Sequence, residues 1–297
     1  MWDELEFAFA LLVSGLSIGL MYSLIALGFV LIYKATDAIN FAQGEFVMLA
    51  GFMATTALAA NMPIWAAIAA AILGMILLSF VLERTVLRPL LGRPVVAVIM
   101  ATIGLAAILR GLPPITIGAQ TKALPLPIGD DPITLWTAVI PPVQVVGVIV
   151  SIAFLAVFTW FFLKSRMGIA MRAVADNQQV AMAMGINVER YFAIAWAVAG
   201  VVSALGGIIW GSMLGVDTQL SLIGLKVFPV VILGGLDSIV GAVVGGLIVG
   251  VVESIAAGYL DPYVGGGTKD FAPYVLMILT LMFKPYGLFG THRIERV

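Results

Sequence analysis

The chain has 297 residues, of which 62% are hydrophobic and only 10% are charged, and its formal net charge at pH 7 is −1. A soluble globular domain carries about 25% charged residues, so this composition excludes that class and predicts a chain surrounded by lipid. The net charge argues against nucleic acid as a partner, because nucleic-acid binding needs a basic surface. The absence of cysteine excludes disulfides, thiolate nucleophiles and cysteine-ligated metals.

Long uncharged runs recur along the chain, and they are continuous rather than alternating, which favours helices over a transmembrane barrel. The run 46–82 is long enough for two crossings, since one crossing needs about 20 apolar residues. The uncharged runs cover residues 7–33, 46–61, 63–82, 95–109, 132–163, 191–216, 227–236, 238–252 and 271–283. The turn between the second and third runs is predicted at Asn61, Met62 and Pro63.

The sequence therefore predicts an all-α, polytopic transmembrane helical bundle with about eight or nine crossings, each about 20 residues long. The runs 95–109 and 227–236 are short for a full crossing, so each either extends past its flanking charges or forms a re-entrant or broken helix. We expect one transmembrane domain over residues 1–297. The acidic start at Asp3, Glu4 and Glu6 favours a retained first helix over a cleaved leader, whose start would be basic.

The distribution of Lys and Arg predicts the orientation, because these residues accumulate in cytoplasmic loops. One set of alternate loops holds Lys34, Arg84, Arg88, Arg93, Lys164, Arg166, Arg172, Arg190, Lys284, Arg293 and Arg296. The other set holds Arg110, Lys122, Lys226 and Lys269. We expect the N-terminus outside and the C-terminus in the cytoplasm, which needs an odd number of crossings. The one histidine, His292, lies in the polar C-terminal tail.

The first polar segment follows the first long run, where Asn40, Gln43 and Glu45 precede a new apolar stretch. Asn40 as N-cap with Gln43 three residues later resembles a capping box, and Glu45 would lie near the positive end of the helix. A direct role in a translocation path is the alternative, and both roles are compatible. After the third run, Arg84, Arg88 and Arg93 form a basic loop interrupted by Pro89 and Pro94, which predicts anchoring and orientation.

Two longer connections differ in character. Residues 111–133 are proline-rich and predict a cap without helix on the outer side. Residues 164–190, on the inner side, predict helix: Asp176 as N-cap, a two-turn helix over 177–184, and Gly185 as its C-terminal stop. Asn187 then caps the next membrane helix, and Glu189 lies in its first turn.

Glycines spaced four residues apart predict close helix packing, because they share one helix face and let two backbones approach. The pairs are Gly15/Gly19, Gly207/Gly211/Gly215, Gly241/Gly245 and Gly246/Gly250. Smooth faces of this kind also allow helices to slide or rock against each other.

Few charged residues lie within or beside the apolar runs of the C-terminal half. Glu253 lies inside an apolar run, where a carboxylate costs about 2.5–3.5 kcal/mol unless it faces the bundle interior or water. A structural hydrogen bond and a pathway role are both open for it. Lys226 and Asp237 flank a short apolar run and are interpreted as interface markers. Residues 265–269 (GGGTK) are glycine-rich but lack the order of a nucleotide-binding P-loop, so any nucleotide must bind to another chain.

Five ordered motifs resemble the LivH-type permeases of branched-chain amino acid ABC importers. They are 19–28 (GLMYSLIALG) with 37–46 (DAINFAQGEF), 83–89 (ERTVLRP), 165–187 (SRMG to GIN), 233–246 (LGGLDSI to GG) and 284–290 (KPYGLFG). Gln43 stands where many members carry histidine, and Asp237 and Val240 replace a commoner glycine and proline. Relatives of this type also carry urea, short amides, neutral amino acids or aromatic acids, so these departures bear on the substrate more than on the family.

The resemblance implies a multi-part importer in the bacterial inner membrane for branched-chain amino acids or related small amino acids and amides. The chain would pair with a second permease subunit, identical or related, two ATP-binding cassette subunits and an external substrate-binding protein. It implies no cofactor in this chain, with ATP and Mg²⁺ bound by the ATPase partners. The inner loop 164–190 would hold a coupling helix that sits in a groove on an ATPase, with an amphipathic surface helix as the competing interpretation. The coupling candidates are Asp176, Asn177, Gln178, Gln179 and Gly185.

Transport would proceed by alternating access, with substrate passing along polar groups that do not hold a fixed charge too tightly. The pathway candidates are Asn40, Gln43, Glu45, Thr102 and Glu253. A self-sufficient secondary transporter, driven by an ion gradient through Glu45 and Glu253, is the alternative. An intramembrane enzyme is disfavoured, because the sequence offers no nucleophile–base constellation within the apolar runs.

Overall fold

A computed structural model of the chain describes residues 2–90, 92–129 and 131–291. The tail residues His292, Arg293 and Arg296, used above for the orientation, lie outside the described residues. The helices are α1 Trp2–Thr36, α2 Gln43–Ala59, α3 Ile64–Leu82, α4 Val95–Thr116, α5 Pro142–Lys164, α6 Arg166–Asp176, α7 Gln178–Ala183, α8 Val188–Leu214, α9 Leu222–Gly234, α10 Ile239–Tyr259, α11 Asp261–Val264 and α12 Thr268–Phe283. A π-helical turn (Glu83–Leu87) and two 3₁₀ turns (Arg88–Leu90 and Thr218–Ser221) connect some of them.

Six of the described helices are long and apolar enough to cross a membrane, namely α1, α3, α4, α5, α8 and α10. Three further helices are shorter, with 17 residues in α2, 13 in α9 and 16 in α12. This confirms the all-α polytopic class. A total of eight or nine crossings needs at least two of the shorter helices to cross as well, so that count stays a prediction.

The chain forms two compact units. The first comprises Met1–Val30, Ile128–Ser151 and Leu225–Val297, and the second comprises Leu31–Pro127 and Ile152–Gly224. Each unit takes its elements from distant parts of the sequence, so neither is a continuous segment.

Glycine contacts between α1 and α10 organise the first unit. A Cβ added at Gly19 would lie 2.5 Å from the carbonyl oxygen of Gly246 and 2.8 Å from the Cα of Leu247. A Cβ at Gly15 would lie 2.7 Å from the Cα of Val251. The two backbones therefore touch along the predicted glycine faces, which confirms the packing expectation for Gly15/Gly19 and Gly246/Gly250. On another face of α10, Gly241 and Gly245 contact the backbone of α9.

In the second unit, α8 packs against both α2 and α3. Gly207 of α8 lies against the backbone of Val47, and a Cβ at Gly200 would approach the Met75 carbonyl oxygen to 2.7 Å. Large side chains fill the space beside these small ones: Phe46 and Trp196, 0% and 1% exposed, meet edge to face with ring centroids 6.0 Å apart. The core of this unit is therefore built on backbone contact along α8 and aromatic packing next to it.

The proline-rich segment 111–133 differs from the expectation of a cap without helix. Helix α4 continues through Thr116 and contains Pro113 and Pro114. A proline has no backbone N–H and so removes one hydrogen bond to the preceding turn, but its φ of about −65° fits a helix. The two prolines near the end of α4 therefore remove hydrogen bonds without ending the helix.

A short antiparallel hairpin follows this connection, with β1 (Ile133–Leu135) paired to β2 (Ala138–Ile140). Ile133 lies opposite Ile140 and Leu135 opposite Ala138. Strands of three residues are too short to produce an alternating pattern, so no strand was predicted here.

The glycine-rich segment before α12 is a turn rather than a phosphate loop. Gly265, Gly266 and Gly267 all have positive φ, and α12 begins at Thr268. Asp261 accepts hydrogen bonds from both the backbone nitrogen, at 2.8 Å, and the hydroxyl of Thr268. These bonds to the charged form lower the pKa of Asp261. The carboxylate thus caps α12 from outside the helix.

We predict that Gly19→Ala lowers the unfolding free energy by about 1–3 kcal/mol, the usual cost of forcing a methyl group into a filled space. SDS titration of the purified chain in mixed micelles measures this. Gly104→Ala in α4 is the matched control, because nothing lies within 4 Å of its added Cβ. Equal stability of the two variants would contradict the backbone contact between α1 and α10.

Candidate functional site

A buried polar cluster lies where the chain leaves α1 and enters α2. Asn40 and Gln43 are both 0% exposed, and Thr102 of α4 is 1% exposed. The predicted capping box is wrong: the N-cap of α2 is Ala42, which has no side chain to bond the helix. Asn40 instead accepts a hydrogen bond from the Ala42 backbone nitrogen at 3.1 Å. This is an Asx turn, and because Asn40 lies two residues before the N-cap, its side chain bonds to a backbone nitrogen outside the helix.

Side chains from three helices complete the cluster. Asn40 donates from Nδ2 to Gln43 Oε1 at 3.3 Å, and Gln43 donates from Nε2 to the Ser203 hydroxyl of α8 at 2.9 Å. The hydroxyl of Thr102 accepts a hydrogen bond from the Phe41 backbone nitrogen at 3.3 Å. The cluster joins α2, α4 and α8 through neutral donors and acceptors.

Glu45 lies in the first turn of α2, as predicted, and is 2% exposed. Its Oε1 accepts a hydrogen bond from Arg110 Nε at 3.1 Å and a second one from Arg110 Nη2. The Arg110 side chain is 49% exposed, so the pair runs from the interior of the unit to its surface. The guanidinium of Arg110 and the positive end of α2 both face this buried carboxylate and compensate its charge.

Glu253 belongs to the other unit, so it does not share a cluster with the four candidates above. It is 6% exposed, and its Oε1 lies 3.6 Å from Nζ of Lys226. Lys226 in turn lies 2.7 Å from Asp270 of α12. A lysine between two carboxylates compensates both of them within α9, α10 and α12.

The two supposed interface markers take different positions. Lys226 lies inside α9 rather than at its flank, because the helix begins at Leu222. Asp237 lies in the turn between α9 and α10, where it accepts hydrogen bonds from the backbone nitrogen and hydroxyl of Thr291. Neither residue lies in the polar cluster of the second unit.

The connection over residues 164–190 is helical, as predicted, but α7 begins one residue later than expected. Asp176 is the last residue of α6 and not an N-cap. The N-cap of α7 is Asn177, whose Oδ1 accepts a hydrogen bond from the Val180 backbone nitrogen at 3.0 Å. Both residue types cap well, so the sequence alone does not distinguish them.

Gly185 is the C-terminal stop of α7, as predicted, and has a φ of 81°. The backbone nitrogen of Gly185 bonds the Met182 carbonyl, and that of Ile186 bonds the Ala181 carbonyl, both at 3.0 Å. This is the Schellman arrangement, so α7 is capped at both ends although it has only six residues. Asn187 caps α8 as predicted, accepting from the Arg190 nitrogen at 3.0 Å.

One side chain fixes α7 to the end of α1. Gln178 donates from Nε2 to the Ala35 carbonyl oxygen at 3.0 Å. Ala35 is in the last turn of α1, where carbonyls have no partner within the helix. The neighbouring Gln179 is exposed and makes no such bond within the described residues. Only one of the two predicted glutamines is therefore an anchor.

The outer side of α7 is apolar. Val180, Met182 and Met184 are 58%, 56% and 78% exposed, whereas Ala181 is buried. Val180 and Met184, four residues apart, share one face of the helix, whereas Met182 lies on another.

The basic loop has a structural role beyond orientation. Arg88 forms a bidentate pair with Glu83 at 3.1 and 3.0 Å, and its Nη1 lies 2.9 Å from Glu189 at the start of α8. Glu83 is 1% exposed. Through these two ion pairs, Arg88 connects the π-helical turn to α8.

Sequence reasoning did not identify Arg110 and Ser203 as partners in the cluster. Arg110 stands alone after an apolar run, and an isolated charge of that kind was a usable signal. Ser203 lies in an uncharged run among other small residues, where nothing distinguishes a hydrogen-bonding serine from a packing one. Among the described residues, no group of three or more His, Asp or Glu side chains is arranged to hold a metal ion.

We predict that Arg110→Met destabilises the chain by about 2 kcal/mol, because the buried Glu45 loses its partner. SDS titration measures the change. Adding Glu45→Gln to the same variant should recover most of the loss, since no buried charge then remains. Additive effects of the two substitutions would show that the pair carries no coupling.

Comparison with known proteins identifies relatives along nearly the whole chain. Residues 11–283 match the family described as branched-chain amino acid transport system / permease component. The chain is 31% identical over 299 residues to the high-affinity branched-chain amino acid transport system permease protein LivH of Salmonella typhimurium, covering 96% of each chain. It is 32% identical over 303 residues to the corresponding protein BraD of Pseudomonas aeruginosa, covering 96% of this chain and 97% of that one.

A solved structure supports the fold. The chain superposes on a chain of PsaBC from Streptococcus pneumoniae in complex with Fab with a TM-score of 0.51, at 13% sequence identity, covering 94% of this chain and 92% of that one. At this identity the match shows the fold alone. A permease component is one part of a larger transporter, so the family favours the importer-subunit interpretation over a self-sufficient secondary transporter. The chain belongs to the family of branched-chain amino acid transport system permease components, and it is a multi-pass membrane transport subunit.

Proposed function

We propose that this chain translocates branched-chain or related small amino acids or amides across the bacterial inner membrane, driven by ATP hydrolysed in partner chains. The support is the family, together with relatives whose names specify branched-chain amino acids. ATP and Mg²⁺ would bind to two ATP-binding cassette subunits. A second permease subunit and an external substrate-binding protein would complete the importer.

Helix α7 is the observation that carries the proposed coupling to an ATPase. It is capped at both ends, it is fixed to α1 through Gln178, and it displays Val180, Met182 and Met184. A rigid short helix with an exposed apolar side suits a groove on a partner protein. Movement of that partner would reach α1 through the Gln178–Ala35 hydrogen bond and tilt the helix as a rigid body.

The polar cluster is the proposed element of the substrate path in the second unit. Asn40, Gln43 and Thr102 offer amide and hydroxyl groups to a zwitterion without holding it by a net charge. Glu45 is already neutralised by Arg110, so it would orient a substrate without trapping it. Glu253, compensated by Lys226, is the corresponding proposed residue of the first unit. Fully buried groups of this kind would meet substrate only when the two permease subunits reorient.

The proposed orientation places α7 and the basic loop in the cytoplasm, with the N-terminus outside. The excess of Lys and Arg on that side supports it. A cytoplasmic α7 is also required if it is to meet an ATPase.

We predict that Gln178→Ala in the assembled complex reduces substrate-stimulated ATP hydrolysis and uptake at least fivefold, because α7 loses its connection to α1. Gln179→Ala, one residue away and exposed, should leave both rates within about twofold, as surface substitutions usually do. Reconstituted proteoliposomes with the binding protein on the opposite side provide the measurement.

Val180→Asp tests the docking surface separately, since it places a charge on the apolar side of α7. We expect loss of ATPase subunits from the purified complex in a pull-down, with the permease itself still folded by SDS titration. Retention of the ATPases together with normal coupling would contradict the assignment of α7.

A further inference from the structure

A small, partly open cleft lies in the second unit beside Gln178 of α7. The wall contains the charged residues Glu83, Arg88 and Arg93, the polar side chains of Thr36 and Gln178, and an apolar part that includes Leu87, Val95, Val98, Phe192 and Trp196.

The charges of the cleft are not equivalent. Arg88 is committed to Glu83 and Glu189, as described above. Arg93 is exposed and forms no ion pair with any residue that the structure describes. It is therefore the cation available to a ligand, and its planar fork matches a carboxylate.

The anionic wall is Glu83, which is almost fully buried. Each of its oxygens accepts one hydrogen bond from Arg88, and a carboxylate can accept about four in all. Acceptor capacity thus remains for an ammonium group, and the two hydrogen bonds from Arg88 fix the position of the carboxylate. A cation, an anion and an apolar wall around one cleft are the groups that a zwitterion with an aliphatic side chain needs.

One residue belongs both to the cleft and to the connection between α7 and α1. The side chain of Gln178 lines the cleft and also donates to the Ala35 carbonyl of α1. A molecule that fills the cleft therefore contacts the same side chain that connects α7 to α1.

We propose that this cleft is a binding site for a small amino acid with an aliphatic side chain, reached from the side of α7, and that its occupation inhibits coupling. The carboxylate binds Arg93, the ammonium lies against Glu83, and the side chain packs on Val95 and Trp196. Accumulated product then slows the transporter from the compartment that receives it. This regulation rests on the proposed function, whereas the binding site itself does not.

Equilibrium dialysis with radiolabelled leucine, on the purified full chain in detergent, tests the site. Arg93→Gln should weaken leucine binding about tenfold or more, because a charge-assisted bidentate contact is lost. Arg84→Gln is the matched control: it removes the same charge from the same loop, but Arg84 does not line the cleft. Isovalerate and isopentylamine, each carrying one of the two charges, should compete at least tenfold more weakly than leucine.

Equal leucine binding by wild type and Arg93→Gln overturns the proposal, as does an equal loss in Arg84→Gln. Competition by isovalerate as strong as by leucine overturns the zwitterion assignment. In proteoliposomes of the whole complex, leucine on the α7 side should inhibit ATP hydrolysis, and Arg93→Gln should raise the half-inhibiting concentration about tenfold without changing the uninhibited rate.

The two proposals fail in different ways. Arg93-dependent leucine binding without stimulated ATP hydrolysis would retain the site and refute the importer function. Normal import with no inhibition from the α7 side would retain the function and refute the regulation.

Discussion

A polar group inside a lipid-surrounded bundle has no water to bind, so it must find its partner within the protein. The pairing seen here follows this constraint. Gln43 reaches Ser203, Glu45 reaches Arg110, and Glu253 reaches Lys226. The first two pairs join helices that are not consecutive in the sequence, and the third joins α9 to the next helix, α10. The polar residues are few, but they determine which helices meet, while glycine contacts determine how closely they meet.

Hydrogen bonds to free backbone groups also explain how a six-residue helix could serve as a coupling helix. Alone, α7 is too short to be stable. Asn177 and the Schellman turn at Gly185 satisfy its ends, and Gln178 satisfies a carbonyl at the end of α1 in the same way. The anchor is therefore a capping interaction made between two helices. A partner that pulls on α7 would act on α1 through it.

Apolar runs and glycine spacing predicted much of this fold, because both are direct consequences of lipid and of backbone approach. Close packing at Gly19 and at Gly246 and the helix within residues 164–190 were predictable in this way, but not that these two glycine faces meet. The N-cap at Asp176 was wrong because the neighbouring Asn177 caps equally well. The capping box at Asn40 was wrong because α2 begins two residues later, after Ala42. Only the three-dimensional course of the chain selects between such helix starts. Ser203 and the cleft beside Gln178 arise from helices far apart in sequence, and no local pattern records them.

The central claim is that α7 is a coupling helix on the ATPase side of the membrane. Its most direct test is single-cysteine labelling, which is possible because the chain contains no native cysteine. A single cysteine at Met184, which is 78% exposed, should react with a membrane-impermeant maleimide only from the cytoplasmic side, and the ATPase subunits should protect it. A cysteine at Tyr263, which is 88% exposed and follows α10, should react only from outside. Labelling of the Met184 position from the outer medium would contradict the account.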